Sequence, residues 1–293
     1  TKDGAFQREI GIPPIQFLTY MFIPLSVGMF PHLFQHWLTA KNAKSFRLTV
    51  IAHPICIMVV WVPCVLIGLW ATGVFNQPPI DAWPKPVVGI MGSADDAGVG
   101  KVLSVVVKFL IENPLIAGMV TAGILAAIMS SLDSQFLCLG TIFTNDIVLH
   151  NKPKDRFTDK QIVLIARGFV VAIVLLTYTL SLVLKDVQNV FDLAVWSFSG
   201  FAALTSLVFT ALYWKGATKA GAYACIIAVA ASWFYFFAKA GWGGEYTVFS
   251  SEHRSDDGIM PVAICFVLGL VAMVVVSLFT KKPSDETIEK FFP

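Results

Sequence analysis

The chain has 293 residues, of which 56% are hydrophobic and 14% charged, and its mean hydropathy is +0.73. Soluble domains average about 45–50% apolar and about 25% charged residues, so this composition excludes an ordinary water-soluble protein. The formal net charge of +2 gives no basis for nucleic-acid binding.

Seven apolar stretches are each long enough to cross about 30 Å of hydrocarbon, which takes roughly 20 helical residues. Helices are expected because an open sheet would leave unpaired backbone groups in lipid. The sequence therefore predicts an all-α integral membrane protein, a single transmembrane domain over 1–293. In chain order, spans one to seven are predicted at 14–38, 48–75, 114–142, 162–184, 190–214, 217–238 and 258–280.

The connecting segments alternate in charge, which predicts the orientation of the chain. Basic residues follow spans one, three, five and seven; they are Lys41, Lys44, Arg47, Lys152, Lys154, Arg156, Lys160, Lys215, Lys219, Lys281, Lys282 and Lys290. Cytoplasmic loops carry an excess of Lys and Arg, so the N-terminus is predicted outside and the tail 281–293 inside. The segment 101–111 is too short to span and is predicted to lie on the outer surface, capping an entrance or covering the bundle.

Span three is unusually polar for a membrane helix. Helical periodicity puts Ala127, Ser130, Ser131 and Ser134 on one stripe, about 24 Å inward from Pro114 at Ser130. Sodium is a hard cation that prefers oxygen, and the Ala127 carbonyl with two hydroxyls would supply three ligands. The alternative is structural, because membrane serines commonly bond back to carbonyls of the preceding turn or to a facing helix.

Three ordered motifs carry a resemblance to a known family: FPHLFQHWLTAKNAKSFR, AAIMSSLDSQFLCLGTIFTNDI and ALYWKGATKAGAYA. Together they resemble the sodium:solute symporter family. The resemblance implies a LeuT-like bundle of two inverted five-helix repeats, with spans one to seven similar to core helices six to twelve. The second repeat would then occupy 14–214 and two peripheral helices 217–280. A fragment lacking the first repeat is expected, which fits a chain that begins with Thr1 in a polar segment.

The resemblance also implies an ion site on span three. Ala127, Ser130 and Ser131 match the family's sodium ligands, whose remaining partners belong to a helix that this sequence does not contain. Asp133 and Ser134 are weaker candidates for a second sodium ion or for coupling. The Asp133 carboxylate would either raise ion affinity by its charge or pair with a buried donor such as Arg167.

Solute contacts are expected from spans one and five. Pro24, Gly28 and Pro31 interrupt span one, as in a broken binding helix. The solute-facing candidates are Ile23, Ser26, Val27, Phe30, Trp196, Ser197, Phe198 and Ser199, with helix packing as the alternative for the aromatic residues. Sugar transporters of the family carry a polar amide and an aromatic gate around Ile23 and Ser26 of span one, and a glutamine near Val195 or Trp196 of span five. Ile23 and Ser26 depart from the first pattern and no glutamine stands at the second position, so an organic acid or amino acid is favoured over a sugar.

No enzyme activity and no cofactor beyond the coupling ion are predicted. The five cysteines lie in apolar stretches without metal or disulfide spacing, and His32 and His36 lack an evident third ligand. The alternative is a non-transport seven-helix membrane protein, a receptor or a channel. A retinal photoreceptor would need a lysine in span seven, and a channel would be expected to show a pore-loop motif. A membrane enzyme would need more catalytic groups that face one another. The prediction is sodium-coupled symport by alternating access in the cell membrane, with a sodium ion, a small solute and lipid as partners and the oligomeric state left open.

Overall fold

The computed structural model describes residues 13–75, 107, 111–150, 157–184, 190–244, 246–249 and 258–291. Its helices are α1 Pro14–Tyr20, a 3-10 segment Ile23–Gly28, α2 Pro31–Leu38, α3 Phe46–Phe75, α4 Pro114–Ile142, α5 Asp159–Leu184, α6 Val190–Ala203, α7 Thr205–Tyr213, α8 Lys219–Lys239, α9 Pro261–Phe279 and α10 Asp285–Phe291. Within the described ranges the only β pairing is one isolated bridge between Val248 and Ile259. The surface segment predicted at 101–111 lies outside the described residues except at positions 107 and 111.

Six helical stretches are long and apolar enough to cross a membrane, with α6 and α7 counted as one. A seventh span results if the bent pair Pro14–Gly28 and Pro31–Leu38 is one crossing. The prediction of an all-helical membrane protein with about seven spans is thus confirmed, with ends that differ by a few residues. The inverted repeat and the orientation stay predictions, as does the division at 14–214 and 217–280.

Span one is broken where its sequence predicts a break. The two halves meet at an angle of 58°, and α1 changes to a 3-10 segment before α2 starts at Pro31. Pro31 has no N–H to donate to the preceding turn, and its ring disfavours helical backbone at the residue before it. Pro31 therefore ends one helical half and starts the next.

The described chain forms two compact units. The first holds the described residues within 35–185, and the second holds those within 11–34 and 186–293. In the first unit α4 and α5 pack closely near Gly140, where an added Cβ would lie 3.0 Å from Val170 Cγ2. The rings of Phe143 and Phe169 stack beside it with centroids 4.0 Å apart. A glycine thus permits the close approach of two helices in the predicted cytoplasmic half.

In the second unit, α8 and α9 pack against each other and against α6 and α7 around a buried cluster. Its members are Trp196, Ala203, Cys225, Val229, Phe236, Val248, Cys265 and Met273. At one end of the pair Thr218 caps α8 by accepting a hydrogen bond from Gly221 N at 3.1 Å. The Thr218 N–H donates to the Ser277 hydroxyl at 3.2 Å, and the hydroxyls of Thr218 and Thr280 lie 2.7 Å apart, so the cap is tied to the end of α9. Thr218 and Gly221, which belong to the motif ALYWKGATKAGAYA, thus form a helix cap and an inter-helix contact.

Candidate ion and solute sites

The hydroxyl stripe predicted on span three lies on α4, in the first unit. Ala127, Ser130 and Ser131 are exposed in the described chain, and Ser134 is half-buried. The Ser131 hydroxyl donates to the Ala127 carbonyl at 3.4 Å, and the Ser134 hydroxyl donates to the Ser131 carbonyl at 2.9 Å. Two of the three predicted sodium ligands are therefore neighbours, through the back-bond that the structural alternative expects. The sodium site stays a prediction.

Asp133 follows the serine pair on α4, and its side chain is exposed. Across the described ranges it forms no ion pair with Arg167, which is also exposed on α5. The pairing weighed from the sequence is absent from this arrangement. The role of Asp133 in binding a second sodium ion or in coupling stays a prediction.

The solute-facing candidates lie in the second unit, on the 3-10 segment and on α6. Ile23 packs with Val195 and Ala202 in a buried cluster. Ser26 is 1% exposed, and its carbonyl accepts hydrogen bonds from Met29 N at 2.8 Å and Phe30 N at 3.1 Å. In the part of the chain that the structure describes, no hydrogen bond engages the Ser26 hydroxyl. A buried hydroxyl without a partner is costly and calls for a ligand, a water molecule or a further protein group.

Phe30 brings span one against α6. Its ring centroid lies 5.3 Å from that of Phe198 and 5.1 Å from that of Phe201. His32 stacks on the same ring at 5.6 Å. The structure thus brings together Phe30 and Phe198, two of the predicted solute residues, and adds Phe201, which the sequence did not single out.

Trp196 has different surroundings from Phe198. It is 1% exposed and packs edge-on against Trp233 and Phe237 of α8, with ring centroids 6.1 and 5.5 Å away. Its carbonyl accepts a hydrogen bond from Trp233 Nε1 at 2.8 Å. These contacts favour the packing alternative for this indole.

The remaining candidates on α6 also differ in exposure. Ser197 and Phe198 are exposed, whereas Ser199 is buried and its hydroxyl donates to the Val195 carbonyl at 2.7 Å. Trp196 and Ser199 therefore serve the interior of the second unit. Ser197 and Phe198 remain available to a solute or to another part of the protein.

Two polar residues of α1 were missed by the sequence interpretation. Gln16 and Thr19 are buried, while Phe17 and Leu18 beside them are exposed. A signal was present, because Gln16, Thr19 and Ser26 are three and seven positions apart and share one face of an otherwise apolar span.

Within the described ranges no group of three His, Cys, Asp or Glu side chains could hold a metal ion.

Comparison with known proteins bears on the identity of the chain. The chain is 27% identical to the osmoregulated proline transporter OpuE of Bacillus subtilis over 192 residues. This alignment covers 65% of this chain and 36% of the relative. It is 29% identical to a sodium/proline symporter of Staphylococcus aureus over 185 residues. That alignment covers 62% of this chain and 34% of the relative. The chain thus spans about a third of the length of the curated relatives it matches. No solved structure matches it significantly.

The family model described as sodium:solute symporter family matches residues 12–228, which is well over half of the chain. With its several apolar helices, the protein is a multi-pass protein of the plasma membrane. The sequence, the helices and the comparisons agree: the chain belongs to the sodium:solute symporter family.

Proposed function

We propose that this chain carries part of a sodium-coupled symporter that moves a small organic solute by alternating access. The observation that carries the proposal is the hydroxyl stripe of α4, an isolated polar surface on a membrane helix of a sodium:solute symporter family member. Polar groups in a membrane span are costly and are commonly retained for transport. We also propose the LeuT-like second repeat over 14–214, with the N-terminus outside and the C-terminus inside.

The proposed sodium ligands on α4 are the Ala127 carbonyl and the Ser130 and Ser131 hydroxyls. The 3.4 Å between Ser131 Oγ and Ala127 O is long for an O–H···O bond, which is usually about 2.7–2.8 Å. Two oxygens at right angles around a calcium-sized cation, each about 2.3–2.6 Å from it, lie about 3.3–3.7 Å apart. The spacing thus supports two ligands on one edge of a coordination shell. Other segments of the protein would complete the shell, and Asp133 and Ser134 are proposed for a second ion or for coupling.

Proline is the first solute to test, because both relatives described above are named as proline transporters. A compact amino acid agrees with the preference drawn from spans one and five. The aliphatic ring of proline would pack on Phe30 and Phe198, while the Ser26 and Ser197 hydroxyls would bond its polar groups. Ile23 would contribute an apolar wall, and Trp196 would act by holding α6 in place.

The test is uptake of labelled proline by the complete gene product in proteoliposomes. An inward sodium gradient should drive accumulation, and a potassium gradient of the same size should not. Coupling between two binding sites is reciprocal. Sodium should therefore lower the half-saturating concentration of proline, and proline should lower the half-saturating concentration of sodium. An excess of unlabelled glucose should not compete. Uptake that is unchanged when sodium is replaced would contradict the proposal.

A further inference from the structure

The outer half of span one is held by a buried hydroxyl. Thr19 Oγ1 accepts a hydrogen bond from the backbone N–H of Met260 at 3.0 Å and donates to the Gln16 carbonyl at 2.9 Å. Thr19 is 7% exposed and Met260 0%. The contact joins two residues 241 positions apart, so it is a tertiary contact and not part of a local turn.

The Met260 side of this contact is fixed by its own surroundings. Val248 and Ile259 pair through two backbone hydrogen bonds of 2.9 Å each, immediately before Met260. At Gly258 an added Cβ would lie 2.7 Å from the Thr247 Cβ, so this crossing of two chain segments has no spare room. The β bridge between Val248 and Ile259 thus fixes the position of the Met260 N–H, which donates to Thr19, and α9 begins at the next residue.

The residues that follow Thr19 also pack against α9 and the residues at its start. The ring of Phe22 lies 5.3 Å from that of Phe266 on α9, and Ile23 belongs to one buried cluster with Met260 and Val262. Ile23 is the first residue of the 3-10 segment Ile23–Gly28, which also contains Ser26. A seven-residue helix such as α1 does not hold its position without tertiary contacts.

We propose that Thr19 is a positioning residue for solute binding: its hydroxyl anchors the outer half of span one to the start of α9 and thereby sets the place of Ile23 and Ser26. This inference rests on the proposed function, in which those two residues face the solute. Thr19 does not itself contact the solute. Without its oxygen the buried Met260 N–H loses its acceptor, and the 3-10 segment gains freedom that solute binding must then remove.

The experiment compares three variants of the complete gene product. Thr19→Val keeps the shape of the side chain and removes the acceptor, and Thr19→Ser restores it. Thr210→Val is the matched control, because Thr210 is also buried but its one hydroxyl bond among the described residues is local, to Ser206 O at 2.6 Å within α7. Thr19→Val should raise the solute KM about fivefold or more at an unchanged amount of protein in the membrane, the size expected for one lost neutral hydrogen bond. Thr19→Ser and Thr210→Val should stay within about twofold of the unsubstituted protein.

A second readout does not depend on transport. A cysteine placed at the exposed Val27 is labelled with a soluble maleimide in each background, and Thr19→Val should change its labelling rate while Thr19→Ser should not. Unchanged labelling and KM in Thr19→Val would overturn the inference, and so would changed labelling with an unchanged KM. If the unsubstituted protein shows no sodium-dependent uptake, the proposed function fails, and so does the positioning role that rests on it. The labelling rates then report whether the anchor itself exists.

Discussion

Trp196 and Phe198 are two positions apart on α6, but their side chains have different environments. The indole of Trp196 is 1% exposed and lies among the rings of α8, whereas Phe198 is 39% exposed and touches Phe30. Buried aromatic rings stabilise a core through their area and their edge contacts. A ring at an accessible surface can instead contact a solute. These two residues therefore separate a packing role, that of Trp196, from the solute contact proposed for Phe198.

Substitution of these two residues tests that separation. Trp196→Ala should destabilise the protein by about 3–5 kcal/mol, as large buried aromatics do, and lower its thermal unfolding temperature in detergent. Phe198→Ala should leave that temperature nearly unchanged and raise the solute KM several-fold. Thermal unfolding and uptake kinetics are measured on the same preparations. A KM effect confined to Trp196→Ala, with Phe198→Ala silent, would reverse the assignment.

At the residue scale the sequence predicted polar positions better than their partners. The stripe at Ser130 and Ser131 was visible because its polar residues follow a long apolar run within span three. Which face of α6 is buried was not visible, since both of its faces carry an aromatic ring and a serine. The polar face that includes Thr19 left a signal in the sequence, but its partner did not, because the Met260 N–H is a backbone group with no residue-type signal.

Close packing of α8 and α9 depends on small residues at their contact. At Gly269 of α9 an added Cβ would lie 2.6 Å from Val229 Cγ2, 3.0 Å from Ser206 Oγ and 3.3 Å from Cys225 Sγ. In lipid the hydrophobic effect does not drive helix association, so van der Waals fit at such sites decides it. Gly269 is thus a point where shape alone controls the stability of the second unit.

Gly269→Ala should lower stability by about 1–3 kcal/mol, the usual cost of overpacking, despite the better helix propensity of alanine. The matched control is Gly118→Ala on α4, where an added Cβ meets nothing within 4 Å in the described chain. That control should be neutral or slightly stabilising. The two variants are compared by thermal unfolding in detergent. Equal effects would contradict the packing role assigned to Gly269.

Element bounds followed closely from the sequence where the physics is local. The predicted 114–142 agrees with α4 at both ends, and the side chain of Asn113 caps that helix through hydrogen bonds from Leu115 N and Ile116 N. The break of span one followed from its prolines. The division of span five at Leu204, between α6 and α7, was not predicted, because no proline or glycine marks it.

Across the whole molecule, the charge pattern of the loops predicts an orientation that helix geometry alone does not give. The positive-inside rule depends on loop lysines and arginines, and four basic loops of this chain agree. The same pattern predicts that the turn after α8 lies outside and that the residues after α9 lie in the cytoplasm. These two ends of the α8–α9 pair are therefore suited to a labelling test.

Single cysteines at Gly244 and at Lys282 test the orientation in a background whose five native cysteines are replaced. In intact cells a membrane-impermeant maleimide should label the cysteine at position 244 and not the one at position 282. Both should react after the membrane is permeabilised. Protection of position 244 together with labelling of position 282 in intact cells would show the opposite orientation.

In the proposed function Ser130 and Ser131 bind the coupling ion, and the half-activating sodium concentration of uptake measures that role. Each hydroxyl that contacts the ion contributes about 1.5–3 kcal/mol, so Ser130→Ala with Ser131→Ala should raise that concentration tenfold or more. Thr121→Ala is the control, because its hydroxyl donates to Ala117 O at 2.8 Å on the same helix, about 180° around from Ser130. It should keep the sodium dependence of the unsubstituted protein. Sodium activation that is unchanged in the double serine variant would contradict the account.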